Sequence, residues 1–367
     1  MKNWVVRALA VAGGVVLVGV AGLFWFTRPK PVLTVATWEG SYGHAQASAQ
    51  IMPYGAKHRV NAKFALYDGG TKALAQQVTS HRYDWDTLDM ELPDAVAACD
   101  SGLLEKIDAA SLAAAPSGTP AAADFVPGAI GPCWVASVVY SQVIAVSFNK
   151  AAVPLAGFFD VKHFPGKRAL NKASAKLNVE MALLADGVAP QDVYAVLSSP
   201  QGVARALRKL DSLRGNLVWY SSPAKAAQMV IDGRAAFAAL PNWAVYDANS
   251  ALPSPKLAII WDRQLYELEV LAIPKGNPKA ARAMDFVRFA TRAENLGKMA
   301  SWVAYGPARK SALALVQKQP ELHIDMMPYL PTAHFDTAFQ VDDGWWRLHG
   351  ADVAVFWQEW LAKSDPH

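Results

Sequence analysis

The sequence predicts an α/β chain folded as two lobes, and three observations carry that expectation. At 367 residues the chain is longer than one hydrophobic core usually organises. Hydrophobic residues make up 53% and charged residues 18%, which suits a well-buried globular body and excludes a disordered one. From Leu33 onward, short apolar runs of strand length alternate with amphipathic stretches of helix length, as a parallel sheet flanked by helices requires.

The N-terminus stands apart from this pattern. Lys2 and Arg7 lead into an uninterrupted apolar run over 8–26, closed by Thr27-Arg28-Pro29-Lys30-Pro31. A charged start and an apolar centre make 1–31 an export signal. Gly19-Val20-Ala21 offers small residues for cleavage. The run nevertheless continues through Leu23-Phe24-Trp25-Phe26 and approaches the length of a bilayer span, so an uncleaved membrane anchor is the alternative. Either way the body is expected outside the cytoplasm. The formal net charge of +4 is matched by Lys2, Arg7, Arg28 and Lys30, which leaves the body near neutrality. With no basic stripe interleaved with aromatics, nucleic-acid binding is not expected.

Cys99 and Cys133 each lie beside a turn, Asp100-Ser101-Gly102 and Gly131-Pro132. In an oxidising compartment the pair is compatible with one disulfide; two buried thiols are the alternative. Without a CxxC spacing or a clustered histidine, no metal site is expected.

Along the chain, a strand over 33–37 ends in Trp38-Glu39-Gly40-Ser41-Tyr42, and a helix is predicted over 44–51. Ligands of α/β proteins bind at the carboxyl ends of strands. Trp38 and Glu39 are therefore candidates to pack against and neutralise a small organic cation; a core tryptophan and a helix-capping carboxylate are the plainer alternative. A strand over 64–67 precedes the turn Asp68-Gly69-Gly70-Thr71. Another, ending near 91, puts Glu91 at a second carboxyl end, and Pro93-Asp94 opens the helix that carries Cys99. The Ala-, Pro- and Gly-rich segment 109–123 reads as a surface excursion. The β-prone run 133–149, broken at Ser141-Gln142, is long enough to leave one lobe and enter another. A strand over 235–240 ends in Pro241-Asn242-Trp243. Two further runs, 257–261 and 266–274, follow. In the second, Glu267 and Glu269 alternate and so face the same way. Glu269 lies in an otherwise apolar run and needs a partner, either a bound cation or a base such as Arg263 or Lys275. Amphipathic helices are predicted over 279–291 and 295–302, ahead of Tyr305-Gly306-Pro307, and an aromatic-rich helical tail over 342–361.

Nothing in the sequence marks covalent chemistry. There is no HExxH pattern, nucleophile elbow, phosphate loop or dinucleotide fingerprint. The carboxylates Glu39, Glu91, Glu267 and Glu269 are the residue type a glycosidase uses, but no spacing sets a working pair.

Several segments match a known family in order and spacing. They include Thr37-Trp38-Glu39-Gly40-Ser41-Tyr42, Tyr83-Asp84-Trp85-Asp86, Gly102-Leu103-Leu104-Glu105-Lys106-Ile107-Asp108 and Val143-Ile144-Ala145-Val146-Ser147-Phe148-Asn149-Lys150. Phe164-Pro165-Gly166-Lys167-Arg168, Leu271-Ala272-Ile273-Pro274-Lys275-Gly276 and Tyr305-Gly306-Pro307 follow. From Leu33 to about Leu361 the chain resembles the periplasmic solute-binding proteins of ABC importers, in their spermidine/putrescine-binding branch. The resemblance implies a type II binding-protein fold with a ligand cleft between lobes formed by 32–143 plus 272–312 and by 144–271 plus 313–367. It implies that Trp38, Glu39, Ser41 and Tyr42 form one wall, that Glu269 holds an amine, and that Tyr305 and Arg347 touch the ligand. Glu91, Glu267, Asn242 and Trp243 complete the expected set. Where polyamine binders carry two further carboxylates, this chain has Ser174 and Leu177. That departure suggests a shorter ligand with one amine, or an amino-acid-like one whose carboxylate meets Arg347, Lys172 or Lys176. The expectation is a monomeric, cofactor-free periplasmic binding protein, not an enzyme, that delivers an amine-containing solute to ABC permease subunits. A membrane-anchored ligand sensor or scaffold is the alternative.

Overall fold

The computed structural model describes residues 30–150 and 153–364. The apolar run over 8–26, and with it the choice between signal and anchor, lies outside the described residues. Among the described residues no helix is long and apolar enough to cross a membrane.

The strands are β1 (Val32–Thr37), β2 (Asn61–Leu66), β3 (Thr87–Glu91), β4 (Trp134–Ser147), β5 (Arg168–Asn171), β6 (Leu217–Tyr220), β7 (Phe237–Pro241), β8 (Leu257–Ala272), β9 (Gly306–Pro307) and β10 (Phe339–Gln340). They join in the order β2-β1-β3-β8-β4-β7-β5-β6, with β9 against β4 and β10 against β8. The outer strands pair in parallel at both ends, β2-β1-β3 and β7-β5-β6. Between them lies the long antiparallel pair β4–β8.

This pair explains how one sheet serves two lobes. β3 pairs only with 269–272 of β8, and β7 pairs only with 142–146 of β4. Each long strand therefore gives one end to each lobe. The run 133–149, long enough by sequence to leave one lobe and enter the other, is the single strand β4; the two runs expected at 257–261 and 266–274 are joined into one continuous strand, β8. The break seen in the second run is a bulge. Between the pairs Gln142↔Leu265 and Ile144↔Ile260, β4 has Val143 alone while β8 loops out 261–264. Gln264 anchors that bulge, its Nε2 donating to the carbonyls of Pro331 and His334.

Separate apolar clusters fill the lobes. Leu33, Val35, Leu88 and Met90 pack with Phe286 and Val287 in one. Val179, Leu183, Phe237 and Trp357 belong to another, and Leu240, Val245 and Tyr329 to a third. The helix expected over 279–291 is observed as Ala280–Ala290, with Ala283, Phe286, Val287 and Ala290 all buried as its period requires. The helix expected over 44–51 starts earlier and runs further: Gly40–Gln46 continues through a π-helical turn, Ala47–Ile51, into Met52–His58. Pro53 does not stop it, because proline is tolerated in the first turn of the new α-helical segment.

Cys99 and Cys133 are bonded, with Cα atoms 5.9 Å apart. The bridge ties the end of the helix Leu92–Asp100 to the residue before β4, inside the first apolar cluster. Cross-linking a loop of this size restrains the unfolded chain. A Cys99→Ala/Cys133→Ala variant is expected to lose about 2–4 kcal/mol of stability in urea unfolding. An unchanged midpoint would contradict this role.

Candidate functional site

The helices that follow β1, β3 and β7 begin at the carboxyl ends of their strands. Their N-cap residues are Glu39, Glu91 and Pro241, each extended, and none closes its helix with a side-chain hydrogen bond. Three uncapped helix starts thus converge on one space, each with backbone N–H groups left over. The first turn is tight: Gly40 takes φ +76°, and a Cβ at Gly43 would fall 2.2 Å from the Trp38 carbonyl oxygen. Only glycine lets the helix start this close to Trp38.

The space is a cavity of about 620 Å³. One wall is Trp38, Glu39, Ser41 and Tyr42, with Glu91 beside them; Tyr140 and Glu269 come from the crossing strands β4 and β8. The opposite wall is Trp243, Tyr246, Asp247 and Ser250, at i, i+3, i+4 and i+7 along the helix Asn242–Ser250. Trp302 and Tyr305 close one side. Tyr305 meets Tyr42 edge-on at 5.1 Å between ring centres, and Trp38 meets Tyr67 in the same way at 4.9 Å.

The charge of this cavity is one-sided. Glu269 is 6% exposed, and its Oε2 accepts the indole N–H of Trp38 at 3.0 Å. The β3–β8 register sets Glu91 directly opposite Glu269. Two residues earlier, and so on the same face, Asp89 is fully buried, its Oδ2 accepting the Tyr42 hydroxyl at 3.0 Å and the Gln46 amide. Burial raises the Glu269 carboxyl well above the usual carboxylate range; Asp89 and Glu91 raise it further, against the Trp38 hydrogen bond. Burial also pushes Asp89 up to about 7, opposed by its bonds from Tyr42 and Gln46. Glu91 is raised by desolvation and then by Glu267. On the opposite wall, desolvation pushes Asp247 up to about 6. Among the described residues, no lysine, arginine or histidine lines the cavity. Aromatic walls over an acidic floor are suited to an ammonium group on an aliphatic stem.

Of the residues singled out in the sequence, Trp38, Glu39, Ser41, Tyr42, Glu91, Trp243, Glu269 and Tyr305 come together here. Four lie outside the cavity lining, each with a local partner. Glu267 binds Lys176, whose Nζ also reaches Asp343 Oδ1 at 2.9 Å. Burial disfavours the Lys176 charge, but Glu267 and Asp343 outweigh it and raise the ammonium's pKa. Ser174 caps the helix Ala175–Ala185 through the Leu177 N–H. Asn242 accepts from the Ser141 N–H at 2.9 Å and donates to the carbonyls of Ala304 and Tyr329. Arg347 pairs with Asp100 at 2.9 Å. Lys275, a sequence candidate to partner Glu269, pairs instead with Glu105 at 2.9 Å. Sequence reading missed Asp89, Tyr140, Tyr246, Asp247 and Trp302. Strand alternation from Glu91 points to Asp89, and helical spacing from Trp243 points to Tyr246 and Asp247. Tyr140 had no local signal, since only its pairing opposite Glu267 brings it to the cleft.

Residues 49–324 match the family model of the bacterial extracellular solute-binding protein. A gamma-aminobutyric acid-binding protein of Pseudomonas aeruginosa is 34% identical over 334 residues, covering 90% of this chain and 91% of that one. The solved Atu4243-GABA receptor superposes with a TM-score of 0.72 at 26% identity, over 91% of this chain and 99% of that chain. An ABC transporter substrate-binding protein from Bradyrhizobium japonicum gives a TM-score of 0.74 at 26% identity, over 90% of this chain and 99% of that chain. The binding protein AgtB of Agrobacterium tumefaciens, solved with agropinic acid, gives 0.64 at 26% identity, over 91% and 100%. These relatives are solute receptors, not enzymes. With the family model spanning most of the chain and a relative aligned along nearly all of it, the protein belongs to the bacterial extracellular solute-binding proteins, exported components that capture small molecules for ABC importers.

Proposed function

We propose that the protein captures a short aliphatic amine in the periplasm and passes it to the permease subunits of an ABC importer. One observation carries the reading: Glu269 is buried against Trp38 and faces Glu91, in a cavity without a basic side chain among the described residues. Carboxylates so placed are costly to ionise until a cation joins them. In this account the ammonium lies between Glu269 and Glu91, and the stem lies against Tyr42, Tyr305 and Trp243. The far end points to the helix Asn242–Ser250, whose first N–H groups have no side-chain cap and suit a carboxylate.

An ω-amino acid of the γ-aminobutyrate class meets these requirements, and the relatives that bind γ-aminobutyrate support it. A long polyamine is less well served, because Ser174 caps its own helix where polyamine binders carry carboxylates. The relatives also favour a delivery protein over an anchored sensor. The same reading divides the body into 32–143 plus 272–312 and 144–271 plus 313–367, closing about the β4–β8 crossing. Closure removes water and strengthens each contact to the ammonium. Asp247 favours a second reading: a carboxylate on the far wall suits a second ammonium, as in a diamine.

Glu269→Gln is expected to weaken amine binding by about 1.5–3 kcal/mol, roughly 10- to 150-fold, the value of a hydrogen bond to a charged group. Calorimetry showing unchanged affinity would remove Glu269 from the site. Asp247→Asn separates the two ligand readings. If γ-aminobutyrate is the ligand, its binding holds or tightens in this variant. If a diamine is, 1,4-diaminobutane weakens by roughly tenfold, the loss of one charged contact.

A further inference from the structure

The carboxylates behind the cavity wall have more negative charge than their surroundings support. Asp89 and Glu91 share one face of β3, and Glu267 and Glu269 share the facing side of β8. Glu267 has a base, Lys176, which also serves Asp343. Lys176 acts on Glu91 as well, but only as a third-party charge. The groups acting most strongly on Glu269 are Asp89, Glu91 and Glu267, all acidic, and the Trp38 indole, which is neutral. Around Asp89 are the neutral Tyr42 hydroxyl and Gln46 amide; both bind Oδ2, while Oδ1 is buried with no hydrogen-bond partner. Tyr42 and Tyr305, which face the same cluster, have their own ionisation suppressed by burial and by these carboxylates, so they add no charge at neutral pH.

We propose that amine capture expels a proton: the Glu269 and Asp89 carboxyls carry one proton between them in the empty protein, on one or the other, and the incoming ammonium takes its place. The carboxyl O–H bond breaks, its electron pair stays on the carboxylate, and the proton passes to the buffer. The ammonium keeps its own protons, so one positive charge replaces another. Asp89, though outside the cavity, thereby sets ligand affinity through Glu269 and Tyr42. Burial of Asp89 raises its pKa to about 7, which places the exchange near neutral pH.

The direction of the pH effect follows. Below neutrality the proton competes with the ligand, so affinity rises with pH by up to about tenfold per unit and then levels off once the cluster is ionised. Acid favours release. This inference rests on the ammonium reading of the site.

The test is calorimetry at pH 6.5 with γ-aminobutyrate and with 1,4-diaminobutane, each in phosphate and in imidazole, buffers of different ionisation enthalpy. The wild type is expected to show a buffer-dependent enthalpy equal to about one proton released per ligand. Asp89→Asn is expected to release less than half as much and to flatten the pH profile. Gln46→Met removes a bond that favours the carboxylate, and is expected to move the rise in affinity to higher pH. A buffer-independent enthalpy in the wild type would overturn the proposal whether or not the variants fold. Full release retained by Asp89→Asn would overturn the role of Asp89. Failure of both amines to bind the wild type anywhere between pH 6.5 and pH 8 would instead overturn the ammonium reading itself.

Discussion

The antiparallel pairing of β4 with β8 joins the two halves of the molecule and sets the chemistry between them. Each strand belongs to one lobe at one end and to the other lobe at the other end. Any movement of the lobes must therefore bend this pair, and the bulge at 261–264 interrupts the ladder near its middle, where bending costs fewest hydrogen bonds. The same pairing fixes which residues meet. A one-residue slip of β3 on β8 would turn Glu91 and Asp89 away from Glu269 and put apolar neighbours in their place. The acidic floor is thus a consequence of register, and register is held by the buried apolar residues on the opposite face of these strands, among them Leu88, Met90, Leu268 and Val270.

The carboxylates of the site are held in unequal ways. Glu39 and Glu91 occupy N-cap positions, where the positive end of a helix favours an anion by about 0.3–1 kcal/mol. Glu269 lies within β8 and, among the described residues, has only the Trp38 indole as a hydrogen-bond donor. Asp89 has two donors on one oxygen and none on the other. The deepest groups are the least compensated, which is what a site completed by its ligand requires. The aromatic side chains of Trp38, Tyr42, Trp243 and Tyr305 line the same space.

Much of this was legible in the sequence, and the parts that were not share a cause. The turn Trp38-Glu39-Gly40-Ser41-Tyr42 is local, since strand, glycine and helix follow in one stretch. Glu269 was conspicuous because a charge in an apolar strand needs an explanation. The covering helix at 280–290 showed its apolar period directly. What local patterns did not reveal is who pairs with whom. Glu267 and Glu269 look equivalent by alternation, and only the fold shows that Lys176 claims the first. Pro241-Asn242-Trp243 gave no means of knowing that Asn242 turns inward to bind backbone while Trp243 faces the cavity. The runs 257–261 and 266–274 read as two strands because a bulge and a turn have the same local signature; pairing with β4, more than a hundred residues away in the chain, makes them one.

The central claim is that the cavity is built for an ammonium group on a short stem, and one measurement bears on it most directly. A ligand that binds only the folded state raises apparent stability by mass action, by about 2.7 kcal/mol at a hundred times its Kd. Thermal unfolding of the exported protein at pH 8 with γ-aminobutyrate, 1,4-diaminobutane and butyrate compares the same four-carbon stem with and without the amine. The account predicts that at least one of the amines raises the Tm while butyrate leaves it unchanged. A Tm raised equally by butyrate, or by neither amine, would contradict it.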